Sequence, residues 1–235
     1  MKIKQYTLAL LLLMGVAASA QELTLEYNFG YGTFKMDRMK EVLSSIHIPL
    51  ENAKVTDNFP GNYTHQIKVG VLLQRHHVGM AIDLMNTAGQ KGVADYSGSY
   101  YGSVRLHGTR FGYFYRFSLI DPQQKARFLP YLQLTAGFIG NECKTTDELI
   151  LFGETIEKQA LTLKGLNTFV EPAVGMRVHL IDNFWLNLNV GYQLDLTKDL
   201  DLPNGGGDAY AYPDWSGLRV QGGILYTIPL RKAKE

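Results

Sequence analysis

The chain of 235 residues lacks several features that would place it in a common class. Its only cysteine is Cys143, so it can form neither an intramolecular disulfide nor a multi-cysteine metal site. The formal net charge is +1, and no basic stripe or tail stands out, which argues against a nucleic-acid partner. After the first twenty residues there is no long apolar run, which excludes a membrane protein built of helices.

The first twenty residues have the pattern of a secretory signal peptide. Two lysines precede an apolar stretch over residues 8–18, which is short for a membrane span, and residues 18–20 read Ala-Ser-Ala, a signal-peptidase motif. We therefore expect cleavage between Ala20 and Gln21, which leaves residues 21–235 as one exported domain. No cysteine follows the apolar stretch directly, so we expect no lipid anchor.

The clearest pattern in the rest of the chain is an alternation over residues 184–196. Every even position there is apolar, and every odd position after Trp185 is polar or glycine. A strand points successive side chains to opposite faces, so Leu188 and Val190 share an apolar face and Asn189 lies on a polar one. The run is longer than the roughly five or six residues of most globular strands and suits a tilted strand that crosses a bilayer.

Eight such strands can be placed along the chain. They are expected at about Leu23–Phe34, Tyr63–Gln74, Val78–Met85, Val104–Leu119, Phe128–Ile139, Asn167–Leu180, Phe184–Leu196 and Ser216–Leu230. The connections then alternate between short ones at Arg75–His77, Ile120–Arg127 and Ile181–Asn183 and long ones at Lys35–Asn62, Asn86–Ser103, Gly140–Leu166 and Thr197–Trp215. This predicts an all-β, eight-stranded antiparallel up-and-down transmembrane barrel, with short periplasmic turns, long extracellular loops and periplasmic termini.

Two of the long connections carry patterns of their own. Apolar residues at positions 36, 39, 42, 43 and 46 follow a helical period, with Asp37 near the start, and predict a short helix in the first external loop. Segments 145–152 and 155–163 could form a hairpin, which leaves a ten-stranded barrel open as an alternative. Because the hairpin alternates poorly, we expect it to protrude above the membrane.

Charged residues fall on the polar face of the predicted strands. An eight-stranded barrel is just wide enough to be filled by its own side chains, and buried charges must be paired. We therefore predict an interior ion-pair network, in which Asp195 and Arg219 are within reach of each other if they lie at a similar depth. The residues expected in the lumen are Glu26, Lys68, Asp83, Arg110, Arg116, Glu171, Arg177, Asp195 and Arg219.

From residue 21 onward the chain resembles the small outer-membrane β-barrel proteins of Gram-negative bacteria, the porin-like and outer-membrane-protein-A-like eight-stranded domains. Residues 30–40 look like the end of a first strand that enters a short helix in such a family. The chain ends without the terminal aromatic residue that many of these barrels carry. The resemblance implies an outer-membrane location, outer-membrane lipid and lipopolysaccharide as partners, and the barrel-assembly machinery during biogenesis. A ligand of the long external loops stays open.

Three functions are compatible with this pattern. The favoured one is a non-enzymatic structural or surface-recognition role for a barrel with a plugged lumen, and the second is a narrow porin-like channel for small solutes. The third, a lipid A-modifying enzyme, needs His, Ser and Asp side chains gathered at the outer rim, and no spacing brings His65, Asp95 and Ser97 together. His76 and His77 are adjacent and would point to opposite faces of a strand. We therefore expect no catalytic site, no metal site and no cofactor.

Overall fold

The computed structural model describes residues 22–45, 54–94, 96, 98–122, 126–152, 154–197, 200 and 211–230. In chain order, their helix and strands are β1 (Glu22–Gly32), α1 (Asp37–Ser45), β2 (Lys54–Asn58), β3 (Asn62–Leu73), β4 (His76–Ala94), β5 (Gly98–Ser118), β6 (Phe128–Leu151), β7 (Glu154–Ile181), β8 (Phe184–Asp195) and β9 (Gly217–Pro229). Within this part of the chain, no helix has the length and apolar character needed to cross a membrane. The predicted cleavage site between Ala20 and Gln21 lies outside the described residues.

Eight of the strands close into a ring. From β3 to β9 each strand pairs with the next in the chain, and β1 closes the ring by pairing with β3 and β9. The additional strand, β2, pairs with β4 at Gly89–Gly92, beyond the part of β4 that pairs with β3. The predicted eight-stranded antiparallel barrel and the predicted helix after its first strand are therefore confirmed, and the ten-stranded alternative is wrong.

Apolar side chains cover the outer wall of the ring, while polar side chains point inward. On β8, Leu188 and Val190 are each 44% exposed, whereas Asn189 between them is 3% exposed. On β6 the outward apolar side chains run from Phe128 to Phe138, which for a strand tilted by about 40° gives a band about 25 Å tall. This polarity is the reverse of a water-soluble protein and matches the lipid-facing band of a transmembrane barrel. We call this surface the apolar belt.

The two ends of the barrel differ in how far the strands continue. At one end, which we call the short-turn end, two residues join β3 to β4 and two join β7 to β8. Gln74 and Asp182 begin these turns with φ values of 53° and 45°, a conformation that reverses the chain within two residues. The predicted turn at Asp182-Asn183 is confirmed, and the turn expected at 75–77 begins one residue earlier, so that β4 starts at His76.

At the opposite, long-loop end, the predicted loops Asn86–Ser103 and Gly140–Leu166 are wrong. β4 and β5 stay paired as far as Ala94 and Gly98, and β6 and β7 as far as Leu151 and Glu154. The hairpin expected within 145–163 exists, but it continues two barrel strands rather than adding two. Its side chains do not alternate as lipid-facing strands do, yet its backbone groups still need partners, so the pairing continues. We call β2 and the parts of β4–β7 beyond the apolar belt the extension.

Val190→Arg tests the outward assignment, because Val190 lies near the middle of β8 on the apolar belt. An arginine at the lipid-facing midplane costs about 2–4 kcal/mol, so the free energy of unfolding in phospholipid vesicles should fall by that amount. Ala160→Arg is the matched control, since Ala160 is exposed on β7 in the extension and its replacement should change stability by about 0.5 kcal/mol or less. Equal losses for the two variants would contradict the assignment.

Candidate functional site in the barrel interior

The nine charged residues predicted to face the lumen all lie inside the barrel. Their side chains belong to seven of the eight ring strands, and their exposed fractions range from 0% to 9%. Strand β6 contributes no charge, but its Tyr131 and Gln133 complete the wall between β5 and β7. Charges from opposite sides of the ring therefore share one small interior, and their contacts decide whether it is filled or open.

Glu26 is the centre of the cluster nearer the short-turn end. Arg116 donates to both of its carboxylate oxygens, at 2.9 and 3.1 Å, and Lys68 Nζ lies 3.5 Å from one of them. The side-chain amides of Asn28 and Asn187 donate at 2.7 and 3.0 Å. A two-point guanidinium contact and two amide donors occupy the acceptor positions of the carboxylate, as a buried charge requires.

Arg110 is the centre of a second cluster, farther from the short-turn end. Its Nε donates to Asp83 at 2.7 Å, and its Nη1 donates to Glu171 and, at 2.9 Å, to Gln193. Arg219 Nε lies 3.4 Å from the same Glu171 oxygen. Two arginines therefore share one glutamate, and each depends on the position of the other.

Amide side chains join the two clusters into one network. Asn28 donates to Gln66 at 3.0 Å as well as to Glu26, and Gln66 donates to Asp83 at 2.7 Å. Asp83 in turn accepts from Arg110. The contacts thus run without a break from Glu26 to Arg110, so the loss of one charge disturbs both clusters.

The predicted pair between Asp195 and Arg219 is not formed. The register of β8 and β9 places Arg219 opposite Gly191, four residues from Asp195, and Arg219 approaches Glu171 instead. Asp195 accepts from the backbone N–H of Trp215 at 2.9 Å. Its role is therefore to hold the segment before β9 over the lumen.

Arg177 is placed at the entrance rather than within the network. Its Nη2 donates to the hydroxyl of Ser118 at 2.7 Å, and no carboxylate of the described residues lies within ion-pair distance. It lines a cavity of about 90 Å³ at the short-turn end, together with Glu22 and Trp185.

Apolar side chains that the alternation did not predict close the barrel beyond the network. Trp215 is fully buried, meets Phe34 edge-on at 4.9 Å between ring centroids and donates its indole N–H to Asn141 at 2.7 Å. Gly89 leaves room for the Phe59 ring, which would lie 2.6 Å from an added Cβ. We call this group the apolar cap; its buried members are Phe34, Met36, Met39, Leu43, Phe59, Met85, Val104, Leu106, Ile139, Cys143, Leu163, Phe169, Leu200 and Trp215.

Helix α1 belongs to the cap. Met39 and Leu43 lie one turn apart on its inner side and are buried, and Met36 directly before the helix is buried with them. Arg38 and Glu41 form an ion pair at 2.8 Å on its exposed side. The helix therefore packs onto the long-loop end of the barrel by the apolar face that its sequence predicted.

The candidate enzyme residues are not gathered at one place. His65 lies on the outer wall and bonds to a tyrosine hydroxyl, His76 also faces outward, and His77 is buried inside the ring. Asp95 and Ser97 lie outside the described residues. In the described part of the chain, no three His, Cys, Asp or Glu side chains stand close enough together to hold a metal ion.

Comparisons with known proteins bear on the fold. No protein-family model and no curated protein matches the chain. The outer membrane protein OprG from Pseudomonas aeruginosa is 12% identical, with 90% of this chain and 97% of that chain covered and a TM-score of 0.51. A major outer membrane protein from Thermus thermophilus (9% identity, 88% and 99% covered, TM-score 0.45) and Neisserial surface protein A (10%, 88% and 97%, 0.41) are more distant in fold.

The chain has the fold of the eight-stranded outer-membrane β-barrels. The resemblance found in the sequence is thereby confirmed at the level of fold, and OprG alone carries the comparison, because the other two TM-scores are below 0.5.

Arg110→Ala tests whether the interior network stabilises the barrel. The substitution leaves Asp83 and Glu171 buried without their main partner, and removal of one member of a buried pair costs about 3–5 kcal/mol. We expect a loss of that size in urea unfolding. Arg38→Ala, which removes an exposed pair on α1, should cost about 1 kcal/mol or less. Similar stability of the two variants would show that the network contributes little.

Cys143 gives a test of the apolar cap. It is 1% exposed among apolar side chains, and burial raises the pKa of its thiol to about 11, so very little reactive thiolate forms at neutral pH. We expect no alkylation by iodoacetamide in the folded protein and complete alkylation in denaturant, followed by mass spectrometry. Lys144→Cys places a second thiol on the exposed neighbouring position and should react at once. Rapid alkylation of Cys143 in the folded protein would mean that the cap opens.

Proposed function

We propose that the protein is a non-enzymatic barrel of the outer membrane, with a closed lumen and a structural or surface-recognition role in the envelope. The observation that carries this proposal is the filled interior. A polar network runs from Glu26 to Arg110, and the apolar cap lies beyond it. An interior filled in this way stabilises the barrel, whereas a channel needs a continuous water-filled path through the lumen.

The apolar belt supports the outer-membrane location. It surrounds the ring with half-exposed Leu, Val, Ile, Phe and Tyr side chains, which is far more than the few hundred Å² of apolar patch that soluble proteins expose. The signal peptide expected at residues 1–20 is consistent with export. In the proposed orientation the short-turn end, where Glu22 lies opposite Pro229, faces the periplasm, and the extension projects from the cell.

The contacts of Arg110 and Glu26 argue for a closed lumen. A continuous path would have to separate charges that are almost inaccessible to solvent, and such pairs are strongly destabilised when one partner is removed. The cap would have to move as well, because Trp215 and Phe34 lie beyond the network. Both barriers must open together for solute to pass.

Planar-bilayer recording tests the closed lumen. The purified protein, shown to be inserted by its resistance to protease, should give little or no steady current in potassium chloride. A double variant, Arg110→Ala with Trp215→Ala, removes both barriers and should raise the frequency of current steps, while Ala160→Arg in the extension should not. A stable single-channel current from the unaltered protein would reject the proposal and favour the porin-like alternative.

A further inference from the structure

The outer face of the extension contains a polar cleft of about 710 Å³. A volume of this size is typical of sites for small ligands, which span about 300–1,000 Å³. Two carboxylates, Asp57 and Glu148, line the cleft, and Glu148 lies 3.5 Å from Lys158 Nζ. The other residues that give the cleft its chemistry are Tyr101, Ser103, Arg105, Lys144, Thr146 and Lys158. None of these residues takes part in the interior network, so the cleft is a feature of the outer surface alone.

Cross-strand pairing explains the shape of the cleft. Ser103 on β5 lies opposite Thr146 on β6, so two small hydroxyl side chains form the floor. Farther from the apolar belt, the next row consists of Tyr101, Glu148 and Lys158, with Glu148 between the other two. The floor therefore offers two hydroxyls, and the far wall offers an aromatic ring and the ion pair of Glu148 with Lys158.

The wall nearer the belt consists of two like charges. Arg105 and Lys144 lie directly opposite each other on β5 and β6 and point to the same outer face. Like charges at such positions destabilise a sheet, because their Cβ atoms are only about 4.5–5.5 Å apart. Glu142 pairs with Lys144 at 2.9 Å, but no carboxylate of the described residues pairs with Arg105. A bound anion between the two cations would relieve this repulsion.

The height of the cleft selects the kind of lipid that can reach it. Lys144 lies six residues beyond Phe138, the last outward apolar side chain of β6 before the extension. In a strand tilted by about 40° this places Lys144 about 15 Å above the belt. The headgroup layer of a phospholipid is only about 5–8 Å thick, whereas a saccharide headgroup extends farther.

We propose that this cleft binds the phosphorylated saccharide headgroup of a lipid held in the same membrane leaflet. The phosphate lies between Arg105 and Lys144, where a guanidinium fork suits its oxygens, and a sugar ring lies over Ser103 and Thr146 beside Tyr101. The proposal rests on the outer-membrane location proposed above and names a site and a ligand class that the closed lumen does not require.

Lipopolysaccharide binding by the full-length protein in detergent tests the site. Native mass spectrometry should show retained lipopolysaccharide with the unaltered protein and at least tenfold weaker retention with Arg105→Gln/Lys144→Gln. Lys40→Gln/Lys54→Gln is the control, since it removes two cations of the long-loop end that do not line the cleft, and it should change retention less than twofold. Circular dichroism checks that all variants fold.

Two further probes identify the source of the phosphate. Dephosphorylated lipopolysaccharide should bind the unaltered protein as weakly as intact lipopolysaccharide binds the double variant, and millimolar inorganic phosphate should not displace the intact lipid. Full displacement by inorganic phosphate, equal binding of a phospholipid, or equal loss in the control variant would each overturn the proposal. Cell fractionation separates the two proposals: a protein found in the outer membrane with unaltered lipid binding by the double variant refutes the cleft but not the location.

Discussion

The fold depends on the fact that a charge inside an eight-stranded barrel has little water to solvate it. Each such charge must meet a partner, and the partners come from other strands. Arg116 on β5 reaches Glu26 on β1, and Arg110 on β5 reaches Asp83 on β4 and Glu171 on β7. These ion pairs connect strands across and around the ring, and they also specify the register between strands. A slip of one residue between strands would turn the charged side chains of the slipped strand toward the apolar belt, where no partner is available.

The polarity of the wall inverts along a single strand. On β6, Gln133 and Thr135 face a polar interior while the outer face is apolar, and farther along the strand Cys143 faces an apolar interior while Lys144 is exposed. The strand passes from a region where lipid is the outer solvent to one where water is. The extension therefore encloses an ordinary hydrophobic core, which is the apolar cap with helix α1. The barrel next to it has the opposite arrangement, with a polar interior and an apolar exterior.

This inversion explains how much could be predicted from the sequence. Alternation identifies strands where one face meets lipid, so the ring strands and all nine lumen charges could be placed by residue number. It fails above the belt, where β6 and β7 remain paired over Thr145–Leu163 without a lipid-facing side. Alternation also cannot identify the ion-pair partner of a lumen residue, because the depth of that residue in the barrel depends on the register between strands. Arg219, for example, pairs with Glu171 and not with Asp195. The apolar cap was not predicted because its members are scattered over the chain. Trp215, for example, lies in a segment without a periodic pattern of apolar residues.

The extension makes the molecule asymmetric around its axis, and this asymmetry has a consequence for recognition. Strands β4–β7 continue past the belt, whereas β1, β3, β8 and β9 end near it, so a wall rises on one side only. A headgroup next to that side meets a sheet whose outer face is charged and hydroxyl-bearing, while on the other side the strands end near the belt. Because the interior is occupied by its own ion pairs, the carboxylates of Glu26, Asp83 and Glu171 are engaged by arginines of the same barrel. The polar groups of the wall remain accessible, so a ligand of the proposed kind can meet them from outside without any opening of the barrel.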